Sequence, residues 1–197
     1  MRVGTDFAPR PDSSASRRRL LKLGLLTAAA TALPRRSLAA DTTITRAVDR
    51  RLSFLNTHTG EDLDALYCCG GEYVPDALAS INHILRDFRV NEARPIDPRL
   101  LDLLHRLGDE LGVRKPYHVI SGYRSPKTNA MLRAKGGSTT GVASRSLHMV
   151  GKAIDVRVPG VDLVRVRDTA RRLRIGGVGY YPASDFVHVD VGRVRYW

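Results

Sequence analysis

Apolar and polar residues alternate most regularly near the end of the chain. In residues 153–158, Ile154, Val156 and Val158 share one face, while Ala153, Asp155 and Arg157 share the other. In residues 186–191, Val187, Val189 and Val191 oppose Phe186, His188 and Asp190. Each pattern predicts a strand with one face in the core. Residues 51–56 and 63–68 are also strand-like, and Thr57-His58-Thr59-Gly60 between them reads as the turn of a hairpin. Further strands are expected over 117–121 and 177–181. The period changes to three and four elsewhere. Leu78, Ile81 and Leu85 predict a helix over 75–89, with Pro75 in its first turn. Asp97-Pro98 opens a second helix that carries Leu100, Leu103, Leu104, Leu107 and Leu111, and Gly112 ends it. Ser125-Pro126 starts a short helix to about residue 134. Leu163, Val166, Ala170 and Leu173 define the inner face of a helix over 162–173. Strands and helices mix without a regular βαβ alternation, so the class is α+β.

The first part of the chain reads differently. Ser16-Arg17-Arg18-Arg19-Leu20-Leu21-Lys22 fits a twin-arginine export signal. A mildly apolar run and the small-x-small site Ser37-Leu38-Ala39 follow, predicting a cut between Ala39 and Ala40. The run is too short, and too rich in Ala, Thr and Gly, to stay as a membrane anchor. The expected division is a leader over 1–39 and a single domain over 40–197, with delivery to the periplasm by the twin-arginine translocation machinery. The formal charge of the 197-residue chain is +12, but the leader carries half of it. The remainder shows no basic stripe interleaved with aromatic residues, so a nucleic-acid partner is not expected. A moderate positive charge suits an anionic partner such as the cell wall. The two cysteines, Cys68 and Cys69, are adjacent. Closing them would make a small strained ring, so they read as small residues before the Gly70-Gly71 turn rather than as a staple.

The chemistry is concentrated in Ser146-Leu147-His148-Met149-Val150-Gly151-Lys152-Ala153-Ile154-Asp155 and in Asp185-Phe186-Val187-His188-Val189-Asp190. Taken singly, a histidine is an ordinary surface residue and Asp155 an ordinary strand-edge charge. Together they offer two imidazoles and a carboxylate, the donor set of a catalytic zinc that keeps a fourth position for water. Strand alternation leaves Asp155 and His188 on the faces opposite the core. Asp190 shares the His188 face, where it is placed to orient that imidazole. A further carboxylate, Asp185, stands three residues before His188.

Ser-x-His-x-x-Gly-x-Ala-x-Asp followed by Asp-x-x-His resembles the D-Ala-D-Ala zinc metallopeptidase group, which shares a fold with the hedgehog signalling domain. The chain is more similar still to its exported murein endopeptidase K subfamily. The likeness extends through Leu55-Asn56-Thr57-His58-Thr59-Gly60-Glu61, Tyr73-Val74-Pro75-Asp76, Leu85-Arg86-Asp87-Phe88-Arg89 and Ser121-Gly122-Tyr123-Arg124-Ser125-Pro126. The resemblance implies a small antiparallel sheet carrying the site, flanked by helices. It implies one zinc ion per chain on His148, Asp155 and His188, with Asp185 as general base. It also implies that Arg124 stabilises the oxyanion or holds a substrate carboxylate. Peptidoglycan is then the substrate, cleaved as an endopeptidase at a peptide cross-link. The alternatives are a D,D- or L,D-carboxypeptidase acting on stem peptides, and a non-catalytic wall-binding module with a structural zinc.

Overall fold

The structure is a computed structural model that describes residues 48–136 and 142–197. The expected leader and its cut at Ala39 lie outside the described residues, as does part of the loop before His148.

Strands β1 (Arg50–Asn56) and β2 (Asp62–Cys69) form the expected hairpin, and β3 (Glu72–Tyr73) extends it. Helices α1 (Pro75–Ile84) and α2 (Pro98–Leu111) lead to β4 (Tyr117–Ser121). Helix α3 (Pro126–Gly136), β5 (Ala153–Arg157) and α4 (Leu163–Leu173) follow. The described chain closes with β6 (Gly177–Tyr181), β7 (Phe186–Asp190) and β8 (Arg195–Tyr196).

The α+β class holds, but the sheet is neither small nor purely antiparallel. It has eight strands in the order β3-β2-β1-β4-β5-β7-β6-β8. Two pairs are parallel, β1 with β4 and β6 with β8. The physical reason lies in the connections. Between β1 and β4 the chain passes through β2, β3 and two helices, which carries it back to pair in the same direction. Strands β3 and β8 have two residues each, too few to leave a periodic signal.

Helix α2 follows its sequence signals closely. The Asp97 carboxylate accepts from Arg99 N, and Gly112 closes the helix at φ 68°. The expected leucines are all buried, and Leu101 joins them. Helix α1 is shorter than the expected span over 75–89. It stops at Ile84 because the next residues bond elsewhere. Leu85 O accepts from Tyr123 N at 2.7 Å, and the buried Asp87 carboxylate accepts from Ser125 N at 2.9 Å. These long-range bonds hold the segment that carries Arg124. Glycine is required at Gly122, where a Cβ would meet Leu85 O at 2.4 Å.

The apolar faces meet in one core that joins α2, α4 and the sheet. Ile154, Val156, Val187 and Val189 belong to it, as the alternation predicted. Both cysteines are free thiols, Cys68 buried and Cys69 exposed. Among the described residues no helix is long and apolar enough to cross a membrane.

Leu104 is completely buried at the centre of α2. Leu104→Ala is expected to cost about 2–5 kcal/mol, from lost transfer energy plus the cavity left behind. Urea denaturation followed by circular dichroism measures it. A cost under about 1 kcal/mol would place Leu104 outside the core.

Candidate metal centre

Strand register brings the first two ligand candidates together. On adjacent antiparallel strands, Asp155 of β5 stands directly opposite His188 of β7. Their neighbours in sequence are core valines and Ile154, so the two polar side chains share the other face of the sheet. Across the other edge of β5, Ser121 of β4 faces Asp155, because β4 carries one extra residue after Val119. That bulge redirects the chain toward Arg124 beside the same site.

His148 arrives from a short 3-10 turn, Leu147–Val150. Ser146 caps the turn by accepting from His148 N at 3.4 Å. Gly151 ends it at φ 65°, packed so tightly that a Cβ would lie 2.3 Å from Pro95 O. The imidazole is buried, and its Nδ1 lies 2.7 Å from Gly122 O. With Nδ1–H donating there, the lone pair of Nε2 faces the cluster.

Three donor atoms converge. His148 Nε2 lies 3.2 Å from His188 Nδ1 and 3.3 Å from Asp155 Oδ1, while His188 Nδ1 lies 2.8 Å from Asp155 Oδ1. Donors held at about 2.0–2.2 Å around one tetrahedral ion stand about 3.3–3.6 Å apart. The triangle is close to that size, with one edge drawn in by a hydrogen bond. The far side of each imidazole is also engaged: His148 with Gly122 O, and His188 Nε2 with Asp190 Oδ2 at 3.1 Å. Ligand histidines are commonly fixed in this way, through the nitrogen that does not bind the ion. Among the described residues this is the one group of three metal-binding side chains with converging donors. The residues fit a bound metal ion.

The electrostatics agree. Burial pushes the Asp155 carboxyl upward, but the adjacent imidazoles of His148 and His188 hold it well below the usual carboxylate range. Asp190 is opposed by burial in the same way. Its bonds to His188, Gly177 N, Gly192 N and Arg195 keep it ionised far below its ordinary value. Burial works against a charged His188, yet the bonds to Asp155 and Asp190 outweigh it and raise the imidazole to about 8. Burial lowers the Arg124 guanidinium from its ordinary value, against the pull of Asp155. Arg124 Nη2 lies 3.2 Å from Ser121 Oγ and 3.4 Å from Asp155 Oδ2. Its Nε is buried without a partner, which leaves a donor unused beside the cluster.

A cleft of about 130 Å³ opens over the cluster. Arg124, Arg145, Tyr181, Phe186 and Trp197 stand on its walls. Asp185 does not. Its residue turns at φ 51° after the short turn Pro182–Ser184, and its exposed carboxylate accepts from Arg157 Nη1 at 2.5 Å. Phe186 and His188 point to the cleft, while Asp185 precedes β7 and is aimed by its own left-handed turn. Gly122, Tyr181, Arg195 and Trp197 were not among the candidate site residues, and the one local signal that could have found the last two is the run of Gly, Arg and aromatic residues after β7.

Residues 45–197 match a family of M15 peptidases described as "Peptidoglycan L,D-endopeptidase MepK". The chain is 45% identical over 183 residues to the peptidoglycan L,D-endopeptidase MepK of Escherichia coli K12, covering 93% of this chain and 97% of that protein. It is 40% identical over 183 residues to the probable peptidoglycan L,D-endopeptidase MepK of Haemophilus influenzae, covering 92% and 95% respectively.

The His188 environment generates a pH prediction. Its folded pKa, about 8, lies above the ordinary 6.5, so metal-free protein keeps the proton until about pH 8. Below that pH an incoming ion must displace the proton. Metal affinity should therefore fall by about tenfold per pH unit below 8 and level off above it. The metal-free fold has the opposite dependence and loses this stabilisation as pH rises through 8. Chelator competition across that range measures the first effect. A flat profile would contradict a protonated His188 in the empty site.

Proposed function

The chain belongs to the peptidoglycan L,D-endopeptidase MepK family, and from that premise we propose that it is a zinc-dependent hydrolase of L,D peptide cross-links in the cell wall. The observation that carries the reading is the triangle of His148 Nε2, Asp155 Oδ1 and His188 Nδ1. It joins metal-ligand spacing to imidazoles fixed from behind.

Zinc is the proposed ion, one per chain, because two imidazoles and one carboxylate are a donor set that zinc enzymes use while leaving a position open. When bound, it supplies a water with a pKa near 7 and polarises the scissile carbonyl. Asp155 and the two imidazoles would hold that chemistry at the buried floor of the cleft, which opens above them to water and substrate. Arg124 offers N–H donors beside it, suited to a developing oxyanion or a substrate carboxylate. Its permanent charge is retained despite burial, because a guanidinium does not deprotonate in proteins. Asp185, three residues before His188, is the proposed base that takes the proton of that water and passes one to the leaving amine, which requires its carboxylate to leave Arg157. The basic wall of Arg124 and Arg145 suits the carboxylates of a peptidoglycan stem.

Digestion of purified muropeptides, followed by mass spectrometry, tests this reading. Wild type is expected to open dimers linked through an L,D bond and to leave D,D-linked dimers intact. Release of single terminal residues would favour a carboxypeptidase. Binding to sacculi without cleavage would favour a wall-binding module. His148→Ala should lose the zinc equivalent, and retention of tightly bound zinc would refute the ligand assignment. Asp185→Asn should keep full zinc and lower turnover by about 10²–10⁴. Turnover within about fivefold of wild type at full zinc, the scale of an exposed ion pair, would remove Asp185 from the reaction.

Cleavage of cell wall requires a location outside the cytoplasm. We propose export by the twin-arginine machinery on the strength of Arg17-Arg18 and the Ser37-Leu38-Ala39 site. Replacing both Arg17 and Arg18 by Lys should trap the precursor inside the cell. Normal delivery to the periplasm, read by fractionation, would count against that route.

A further inference from the structure

His188 stands in a row that crosses three strands. Asp155 of β5 is its neighbour on one side, and Gly179 of β6 is its neighbour on the other. On the Asp155 side lie the converging donor atoms. On the Gly179 side there is no side chain. Alternate positions of β6, Gly177 and Gly179, leave this face of the strand bare until Tyr181.

The residues after β7 fill that gap. β8 returns alongside β6 in parallel, with Arg195 beside Gly177 and Tyr196 beside Val178. Trp197 continues the pairing: its N donates to Val178 O at 3.2 Å, and its O accepts from Tyr180 N at 3.0 Å. Its indole then lies over Gly179, 5.3 Å from the His188 ring. Indole Nε1 donates to Tyr181 Oη at 2.8 Å, which fixes the ring plane. Arg195 sits over the same indole, with its Cζ 4.9 Å from the ring centre.

Arg195 also reaches the carboxylate behind His188. Asp190 is fully buried, and its oxygens are met from every side. Oδ2 receives Arg195 Nη2 at 2.7 Å and faces His188 Nε2 at 3.1 Å. Oδ1 accepts from Gly177 N at 2.9 Å, Gly192 N at 2.8 Å and Arg195 Nη1 at 3.2 Å. The two glycines of β6 make room for this assembly. A Cβ on Gly177 would lie 2.4 Å from Asp190 Oδ2, and one on Gly179 would lie 2.7 Å from Trp197 Cε2. His188 is thus held by a carboxylate at Nε2 and by an indole against its ring, both braced by Arg195.

We infer that residues 195–197 form a latch that holds His188 with Nδ1 presented to the metal ion, so that Asp190, Arg195 and Trp197 set metal affinity without touching the metal. They are positioning residues. The inference rests on the metal reading above. It assigns to the end of the sheet a role that edge strands of two residues do not ordinarily have.

The test uses the full chain and measures metal rather than turnover. Zinc affinity is read by competition with a chromophoric chelator, and ligand geometry by the visible absorption of the cobalt(II)-loaded protein. Gly179→Ala, which displaces the indole, and Arg195→Met, which unbraces Asp190, should each weaken zinc binding by about 10–100-fold and alter the cobalt bands. Arg195→Lys should recover part of the loss. A purely structural role for the segment would lower the melting temperature of chelator-treated protein and leave both metal readouts alone. Zinc affinity within about threefold of wild type, with an unchanged cobalt spectrum, in both variants would overturn the latch. If Arg195→Met does not fold, Trp197→Leu keeps the Arg195–Asp190 pair and supplies the second measurement under the same criterion. Should wild type take up neither zinc nor cobalt, the metal reading fails, and the latch is judged on metal-free protein. Nitrogen-15 correlation spectra of the His188 ring should then show Nε2–H in wild type and a changed ring signal in Gly179→Ala. Identical ring signals would overturn the latch there too.

Discussion

The pairing of Asp155 with His188 across β5 and β7 is the contact on which the rest of the structure depends. It sets a carboxylate nearly out of reach of water in the middle of an eight-stranded sheet. A buried charge without partners is strongly unfavourable, so the surrounding chain must supply compensation. His148 and Arg124 come in from one side, and Asp190 and Arg195 brace His188 from the other. A bound metal ion would add positive charge against the carboxylates of this cluster. The buried acid would then serve as a ligand rather than a defect, and metal uptake and fold stability would be linked.

Close backbone approach makes this convergence possible. Gly122 lets the Arg124 segment lie against Leu85, and its carbonyl fixes the His148 ring. Gly151 turns the chain sharply against Pro95, so that His148 and Asp155 reach one point from seven residues apart. Asp87 links the end of α1 to the same region by accepting from Ser125 N. The site is therefore built by main-chain contacts between segments distant in sequence. Its side chains have little freedom to drift, which suits a centre that must hold geometry in the absence of substrate.

The mixed sheet has a functional consequence. The parallel β1–β4 pair places the hairpin on one side of the sheet, and the antiparallel β4–β5–β7–β6 portion carries the site. All three ligand candidates, Arg124 and the wall residues Tyr181 and Phe186 come from that portion or its connections, and Trp197 joins them from the end of β8. The cleft is lined by guanidinium groups and aromatic rings rather than by carboxylates, apart from Asp155. Such a surface attracts an anionic peptide and excludes water from the apolar parts of the walls.

Local pattern was enough to determine the α+β class, the α2 caps and the core faces of β5 and β7, which follow from periodicity and from residue chemistry within a few positions of each other. His188 lies 33 residues beyond Asp155, and the resemblance to the metallopeptidase group is what joined it to His148 and Asp155. The tertiary structure decided the extent of the sheet, the early end of α1 and the position of Asp185 outside the cleft. It also decided the use of Gly177 and Gly179 as space for Asp190, Arg195 and Trp197. Each of these depends on which strands become neighbours and in what register. A strand of two residues has no period, and a glycine records nothing about the side chain that will occupy the space above it. The partner of an exposed carboxylate such as Asp185 is likewise chosen by the strand beside it, and no spacing along the chain encodes that choice.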